Sequence, residues 1–324
     1  MSALEAARRH YRDRQRLIST VTGEGRRLWS EVDPDALETS WSRRAARLLV
    51  VLAGAQLLAA SRADDYVDAV LGEQGIGVAP AGSVVPGALA GVASDGRTLE
   101  GLLRSPVVST ARALARGESR SRALASGQAT LDMTLATQVA DAGRVADGIA
   151  VAARPGVGYV RMISPGACSR CVILAGRFYR YNQGFQRHPR CLCAHIPASE
   201  AVSDDLAVNP QSYFDSLTED EQDRIFTRAG AQAVRDGADI TQVVNARRGM
   251  STAVGPSGRR RIATETVFGR DAFITREGIT RRGLAGERLA GRSRGVRLMP
   301  EQIYRDATSR DDAVRLLRLH GYIR

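Results

Sequence analysis

The first 154 residues carry a helical period with few breaks, and this pattern narrows the possible folds more than any other feature of the chain. Between residues 3 and 32, Leu4, Ala7, Tyr11, Ile18, Val21, Leu28 and Trp29 recur at roughly helical spacing among arginines, which predicts an amphipathic helix. Asp33 and Pro34 then read as an N-cap with proline at the first helical position, opening a second helix that runs to about Leu71. The two make a helical hairpin over residues 1–74. Such a hairpin cannot bury its own apolar stripe, so it must pack on the rest of the chain or on another subunit. Its most apolar stretch, 48–60, is thirteen residues long, contains Gln56 and follows Arg47. That is short of the roughly 20 residues needed to span a bilayer, so a buried helix and no membrane partner are expected. The opening Met-Ser-Ala-Leu-Glu lacks a charged-then-apolar signal pattern, and export by a signal peptide is not expected.

Residues 75–96 are rich in glycine and proline and lack period, as a linker would be. In the helical region 97–154, Ser105 and Pro106 restart helix. A longer helix follows over 121–153, with Leu124, Leu131, Leu135, Val139, Val145 and Ile149 as its expected buried line. Character changes at Pro155. Short β-rich runs at 158–163, 177–181 and 192–196 predict a small α+β module within 155–249. Thr218 with Glu221 forms a capping-box pattern, and Asp239 with Gln242 a second candidate. A basic, glycine-rich extended arm is expected over 250–297, followed by two short helices in 298–324. The fold class is therefore mainly α with a small α+β module.

All four cysteines lie between positions 168 and 193, in the pattern C-x2-C-x16-H-x2-C-x-C made by Cys168, Cys171, His188, Cys191 and Cys193. Zinc takes four soft or borderline ligands in a tetrahedron, and C-x2-C supplies two thiolates from one tight turn. On a strand, Cys191 and Cys193 would share a face, with His188 arriving from the preceding turn. One of the five would be spare. A closed structural zinc site, a pair of disulfides and plain packed thiols all fit this spacing. A catalytic zinc would need a nearby general base, and there is no aspartate or glutamate between Asp147 and Glu200.

Basic residues number 46 against 35 acidic ones, for a net charge of +11, and every basic residue is an arginine. Codon bias in a GC-rich genome is the simplest origin. The consequence is a surface of fixed charges that pair bidentately with carboxylate or phosphate. Arg259, Arg260 and Arg261 form a run in the arm, with Arg281 and Arg282 behind it. They read either as a solvated tail or as a non-specific contact to nucleic acid or to an acidic partner surface. No groove-reading motif is present, so sequence-specific recognition is not expected.

The string Gly166-Ala-Cys-Ser-Arg-Cys-Val-Ile-Leu-Ala-Gly176-Arg-Phe-Tyr, followed by His188-Pro-Arg-Cys-Leu-Cys, resembles the core motif of MuF-like phage minor capsid proteins. Three downstream pieces look like the version carried by tailed phages of actinobacteria. They are Tyr213-Phe214 with Glu221-Gln-Asp, the stretch 237–248, and Leu298-Met-Pro-Glu-Gln-Ile-Tyr with His320-Gly-Tyr-Ile. The resemblance covers about 121–324. It implies a low-copy head-morphogenesis protein, made in the host bacterial cytoplasm and placed inside the capsid near the portal vertex. The portal protein and the major capsid or scaffolding protein would be its partners. The resemblance also carries an alternative, a capsid maturation protease.

A protease of the usual kind needs a nucleophile, a base and a group that orients the base. Of the four histidines, His188 and His195 flank the cysteines, while His10 and His320 sit in terminal amphipathic segments. No G-x-S-x-G elbow is present. A metal-finger nuclease would need a further acidic or histidine ligand that the cysteine segment does not provide. No catalytic residue is assigned, and binding rather than turnover is expected.

Overall fold

The computed structural model describes residues 2–164, 166–183, 193–206, 208–247, 252–254, 260–262, 264–267, 270–275, 277–279, 284–290 and 297–324. The chain is mainly helical, with small antiparallel sheets, and divides into two compact units. Unit 1 holds residues 1–164 and 176–207, and unit 2 holds 165–175 and 208–324. The helix-to-strand transition near 155 thus falls inside unit 1.

In unit 1, local sequence sets the helix starts. Ser2 and Glu5 close a capping box that opens α1 (Ala3–Ser30), and Ser119 accepts from the Arg122 amide to open α6 (Arg120–Ala152). Asp33 and Pro34 do not start the second helix. Asp33 Oδ1 instead accepts from the Asp35 amide at 2.9 Å, while Ser40 Oγ bonds the Asp33 backbone. The local turn outcompetes helix, and α2 begins later, at Leu37 (Leu37–Ser61). Arg62 then separates α2 from α3 (Ala63–Glu73).

Residues expected to act as a linker are fastened to this unit. Ala81 donates to Ala153 O at 2.8 Å, Val84 to Asp64 Oδ2 at 2.9 Å, and the Gln56 amide bonds both Val92 O and Gly91 N. Short α4 (Leu99–Leu103), not foreseen from the sequence, precedes α5 (Ser105–Ala115).

Helix α6 runs through the middle of the unit. Leu131, Leu135 and Val139 are buried as expected, but Val145 and Ile149 are 44% and 41% exposed. The inward line instead uses small residues, Ala142, Ala146 and Ala150, because neighbouring helices approach closely. Gly127 shows how closely: a Cβ there would run into the Trp29 ring and the Thr110 hydroxyl. Trp29 and Trp41 meet edge to face at 4.9 Å, and each indole N–H reaches a backbone carbonyl.

Toward its other end α6 packs on α1, α3 and a sheet formed by β1 (Val157–Met162), β2 (Phe178–Arg180) and β3 (Ala194–Ser199), in the order β2-β1-β3 and antiparallel throughout. The three short β-rich runs are all strands. In this core Arg14 Nη2 donates to Asp147 Oδ2 at 2.6 Å, His10 Nε2 lies 3.0 Å from Asp147 Oδ1, and Tyr66 stacks on His10 at 3.8 Å. Tyr66 donates to His195 O at 2.5 Å. Burial alone would raise the Asp147 pKa. The Arg14 charge and the His10 contact outweigh it and hold the carboxyl well below the usual range.

The helical stretch 37–73 is, by length and composition alone, long and apolar enough to cross a bilayer, and 39% of its most apolar part is buried. The stretch is therefore longer than the thirteen residues the sequence suggested. Core helices pass the same test.

Unit 2 packs α7 (Ser169–Ile173), α8 (Pro210–Asp215), α9 (Glu219–Phe226), α10 (Arg228–Arg235), α11 (Ile240–Ala246), α12 (Leu284–Leu289), α13 (Pro300–Asp306) and α14 (Arg310–Leu319). Its core includes Val172, Phe214, Phe226, Val243, Ile303 and Leu317. Thr218 and Glu221 form the expected capping box, and Asp239 caps α11. The described residues within 250–297 are not an unpaired extended arm. β4 (Thr252–Val254) pairs with β5 (Arg260–Ile262), and β6 (Thr264–Val267), β7 (Arg270–Thr275) and β8 (Arg297–Leu298) form a second antiparallel sheet. Thr252 and Val254 on β4, and Thr264 and Thr266 on β6, are β-branched residues at alternating positions among the arginines and glycines that dominate the composition of the segment.

Removing Asp147 leaves Arg14 as an uncompensated buried cation. Asp147→Ala should lower stability by about 3–5 kcal/mol in urea denaturation followed by circular dichroism, and the double variant Arg14→Leu/Asp147→Leu should recover much of it. A loss under about 1 kcal/mol for the single change would show that the pair does not organise this core.

Candidate functional site

The cysteine motif begins in unit 2 at a turn that Gly166 enters with φ 82°, a conformation that favours glycine. Cys168 is the N-cap of α7, its carbonyl taking the Val172 amide at 3.2 Å, and Cys171 lies in the first helical turn. Three residues apart on one helix face, the two Sγ atoms stand 3.3 Å apart. Val172 and Ile173 anchor α7 in the unit 2 core, and Arg170 Nη1 donates to Asn245 Oδ1 at 3.1 Å, so the turn is fixed on two sides. Tetrahedral zinc with bonds of about 2.3 Å holds two thiolates roughly 3.8 Å apart, whereas a disulfide draws sulfurs to about 2.05 Å. A small side-chain rotation reaches the first value, so the pair fits two corners of a zinc tetrahedron. The second requires a larger shift.

Cys193 belongs to unit 1 and is buried just before β3. Arg161 Nη2 donates to its Sγ at 3.0 Å and Arg144 Nε to its carbonyl at 3.1 Å. His188 and Cys191 lie outside the described residues. Among the described residues no group of three or more histidine, cysteine or acidic side chains is gathered as a metal site. His195, the other histidine near the motif, is buried on β3 with its ring 4.0 Å from that of Tyr159.

Of the arginines proposed as a contact surface, Arg260 and Arg261 lie on β5, in register with Val254 and Ala253. Arg259, Arg281 and Arg282 lie outside the described residues. Two others of the same basic segment are internal fastenings. Arg288 donates to Arg318 O and Ile323 O. Arg297 is fully buried, bonded to His320 O at 2.7 Å and Glu277 O at 3.1 Å, and lies 3.9 Å over the Tyr322 ring. It cannot reach a phosphate.

No local signal in the sequence points to a polar knot beside α10. Thr227, at φ 67° and ψ 154°, holds a backbone conformation that costs a side-chain-bearing residue about 1–3 kcal/mol. Its hydroxyl donates to Glu301 Oε1 at 3.3 Å and accepts from Arg247 Nη1 at 3.1 Å, while Arg247 Nη2 pairs with the same carboxylate at 2.5 Å. A cavity of about 500 Å³ opens here, lined by Thr227, Arg228, Gln232, Glu301 and Tyr304 among others.

No family model, curated protein or solved structure matches the chain.

Chemically, the Cys168–Cys171 turn can hold a soft metal or close a disulfide. The Thr227 hydroxyl is a poor nucleophile, because its carboxylate neighbour is neutralised by Arg247. The His10–Asp147 contact resembles half of a catalytic triad, but Arg14 Nη2 also contacts the same His10 Nε2, and no hydroxyl or thiol is hydrogen-bonded to that nitrogen among the described residues.

Purified under reducing conditions, the chain should carry about one zinc, and Cys168→Ser/Cys171→Ser should lose it together with stability of unit 2. Protein prepared without reductant that is metal-free and shows fewer titratable thiols than its four cysteines would assign a disulfide instead.

His320 adds a pH dependence. Burial, with help from the Arg297 charge, pushes its pKa down from 6.5 to about 4, and Leu298 N donates to its Nδ1 at 3.2 Å. A depressed histidine binds its proton more readily when unfolded. Its contribution is therefore complete above pH 6.5 and is lost as pH falls toward about 4, by roughly 3 kcal/mol. Urea midpoints measured across this window should fall in the parent and flatten in His320→Asn; equal slopes would refute the assignment.

Proposed function

We propose that this chain is a structural head-morphogenesis protein of a tailed phage, a MuF-like minor capsid protein that binds inside the head near the portal vertex. It assists procapsid assembly and contacts the portal, the major capsid or scaffolding protein and, non-specifically, packaged DNA. The observation that carries this reading is the cysteine motif, whose first half holds two sulfurs 3.3 Å apart on a turn anchored in a core. Cys168, Cys171, His188, Cys191 and Cys193 offer five donors, of which four would close a structural zinc staple and one is spare, an arrangement that serves rigidity rather than hydrolysis. Arg259, Arg260, Arg261, Arg281 and Arg282 supply a non-specific electrostatic contact whose strength falls with salt.

Co-expression with the portal and major capsid proteins of the same phage tests this. The chain should co-purify with the portal complex in a salt-sensitive manner and leave the capsid protein at full length. Cleavage of the capsid protein by the purified chain would establish the alternative, a maturation protease. Particles assembling normally in its absence would remove the head-assembly role.

A further inference from the structure

Helix α2 has two different faces. Trp41, Leu48, Leu52, Ala55 and Ala59 point into unit 1 and are buried, whereas Val50, Leu57 and Leu58 are 73%, 43% and 52% exposed. The outward positions 47, 50, 54, 57 and 61 alternate steps of three and four, the spacing by which one helix seats on another. Gly54 lies at the middle of this row, and a Cβ built there would meet nothing within 4 Å, so a second backbone can approach closely. Continuing the row in both directions, Arg43 stands exposed at one end and Asp65, on α3, stands exposed at the other.

We propose that the chain associates with a second copy of itself through this face, as an antiparallel helix pair with its two-fold axis at Gly54. That axis sets Val50 of each copy against Leu58 of the other and Arg43 against Asp65, two apolar and two ionic contacts from one surface. A parallel pairing would oppose Arg43 with Arg43 and Asp65 with Asp65, so the charges select the antiparallel arrangement. They also argue for a second copy over a lipid surface. A face with a cation at one end and an anion at the other complements its own reverse.

Light scattering on the full chain should give about twice its 34.8 kDa mass. Leu58→Asp should return it to monomer with unchanged helicity, since the side chain is already exposed. Arg43→Asp and Asp65→Arg should each weaken association about tenfold, and the two together should restore it. Gly54→Cys should cross-link to its own copy beyond any background from the parent. A parent chain that stays monomeric, a dimer indifferent to Leu58→Asp, or a charge swap that fails to restore pairing would each overturn the proposal. So would a monomer that floats with phosphatidylcholine vesicles, which would assign the face to lipid.

Discussion

The Arg14–Asp147 ion pair fixes how the helices of unit 1 can meet. Taking either charge out of water alone costs several kcal/mol, so α1 and α6 must bring both to hydrogen-bonding distance or neither. Room for the guanidinium comes from Gly143, one turn before Asp147, where a Cβ would stand 2.6 Å from Arg14 Nε. His10, one turn before Arg14, takes the second carboxylate oxygen and stacks on Tyr66, whose hydroxyl reaches β3 at His195 O. One buried anion thus ties α1, α3, α6 and the sheet together. Cys193 directly precedes that strand, so the same network also fixes the position of one cysteine of the motif.

Arginine without lysine looks like a compositional accident until the buried cations are inspected. Arg154 gives bonds to Asp68, Asp64 and Ala150 O, and Arg297 to His320 O, Glu277 O and Gln242, each with its guanidinium enclosed. A lysine ammonium is a point donor that deprotonates readily when buried, and it could not bridge such separated acceptors. Codon bias can fill the surface with arginine, but it does not explain these placements. The positive charge of the chain therefore overstates the charge available to a partner.

Helices and strands were legible because their signals are local. Thr218 with Glu221 and Asp239 cap helices as their spacing predicts, and three short β-rich runs pair in one sheet. Errors came where a local signal had competitors or where distance mattered. Asp33-Pro34 can cap a helix or close a turn, and Ser40 decides for the turn. Val145 and Ile149 continue the apolar line of α6, yet the close approach of neighbouring helices favours alanine on the inward face. His10 and Arg14 show an i, i+4 relation, but nothing in the sequence points to Asp147, more than 130 residues away. Arg297 follows a basic, glycine-rich run and shares its look, yet β8 carries it into a core. In the cysteine motif, spacing alone suggested that Cys168 and Cys171 share one turn, and they do. Its zinc occupancy cannot be read from spacing, because zinc, disulfide and packed thiols share the same pattern.

Apolar composition has a similar ambiguity in α2. Read as a single stretch, 48–60 is apolar on every side, which in a soluble protein means burial on every side. In unit 1 only half of that burial takes place, through Leu48, Leu52, Ala55 and Ala59, and it is complete once the chain folds. The other half, at Val50, Leu57 and Leu58, remains in water, and covering it depends on encounter with a second surface and so on concentration. Scattered single apolar side chains on a surface need no explanation, but three on one helix face, centred on a glycine and bounded by opposite charges, form a patch. Hydropathy sums the two burials, and only the structure separates the one that stabilises the fold from the one that is left for association.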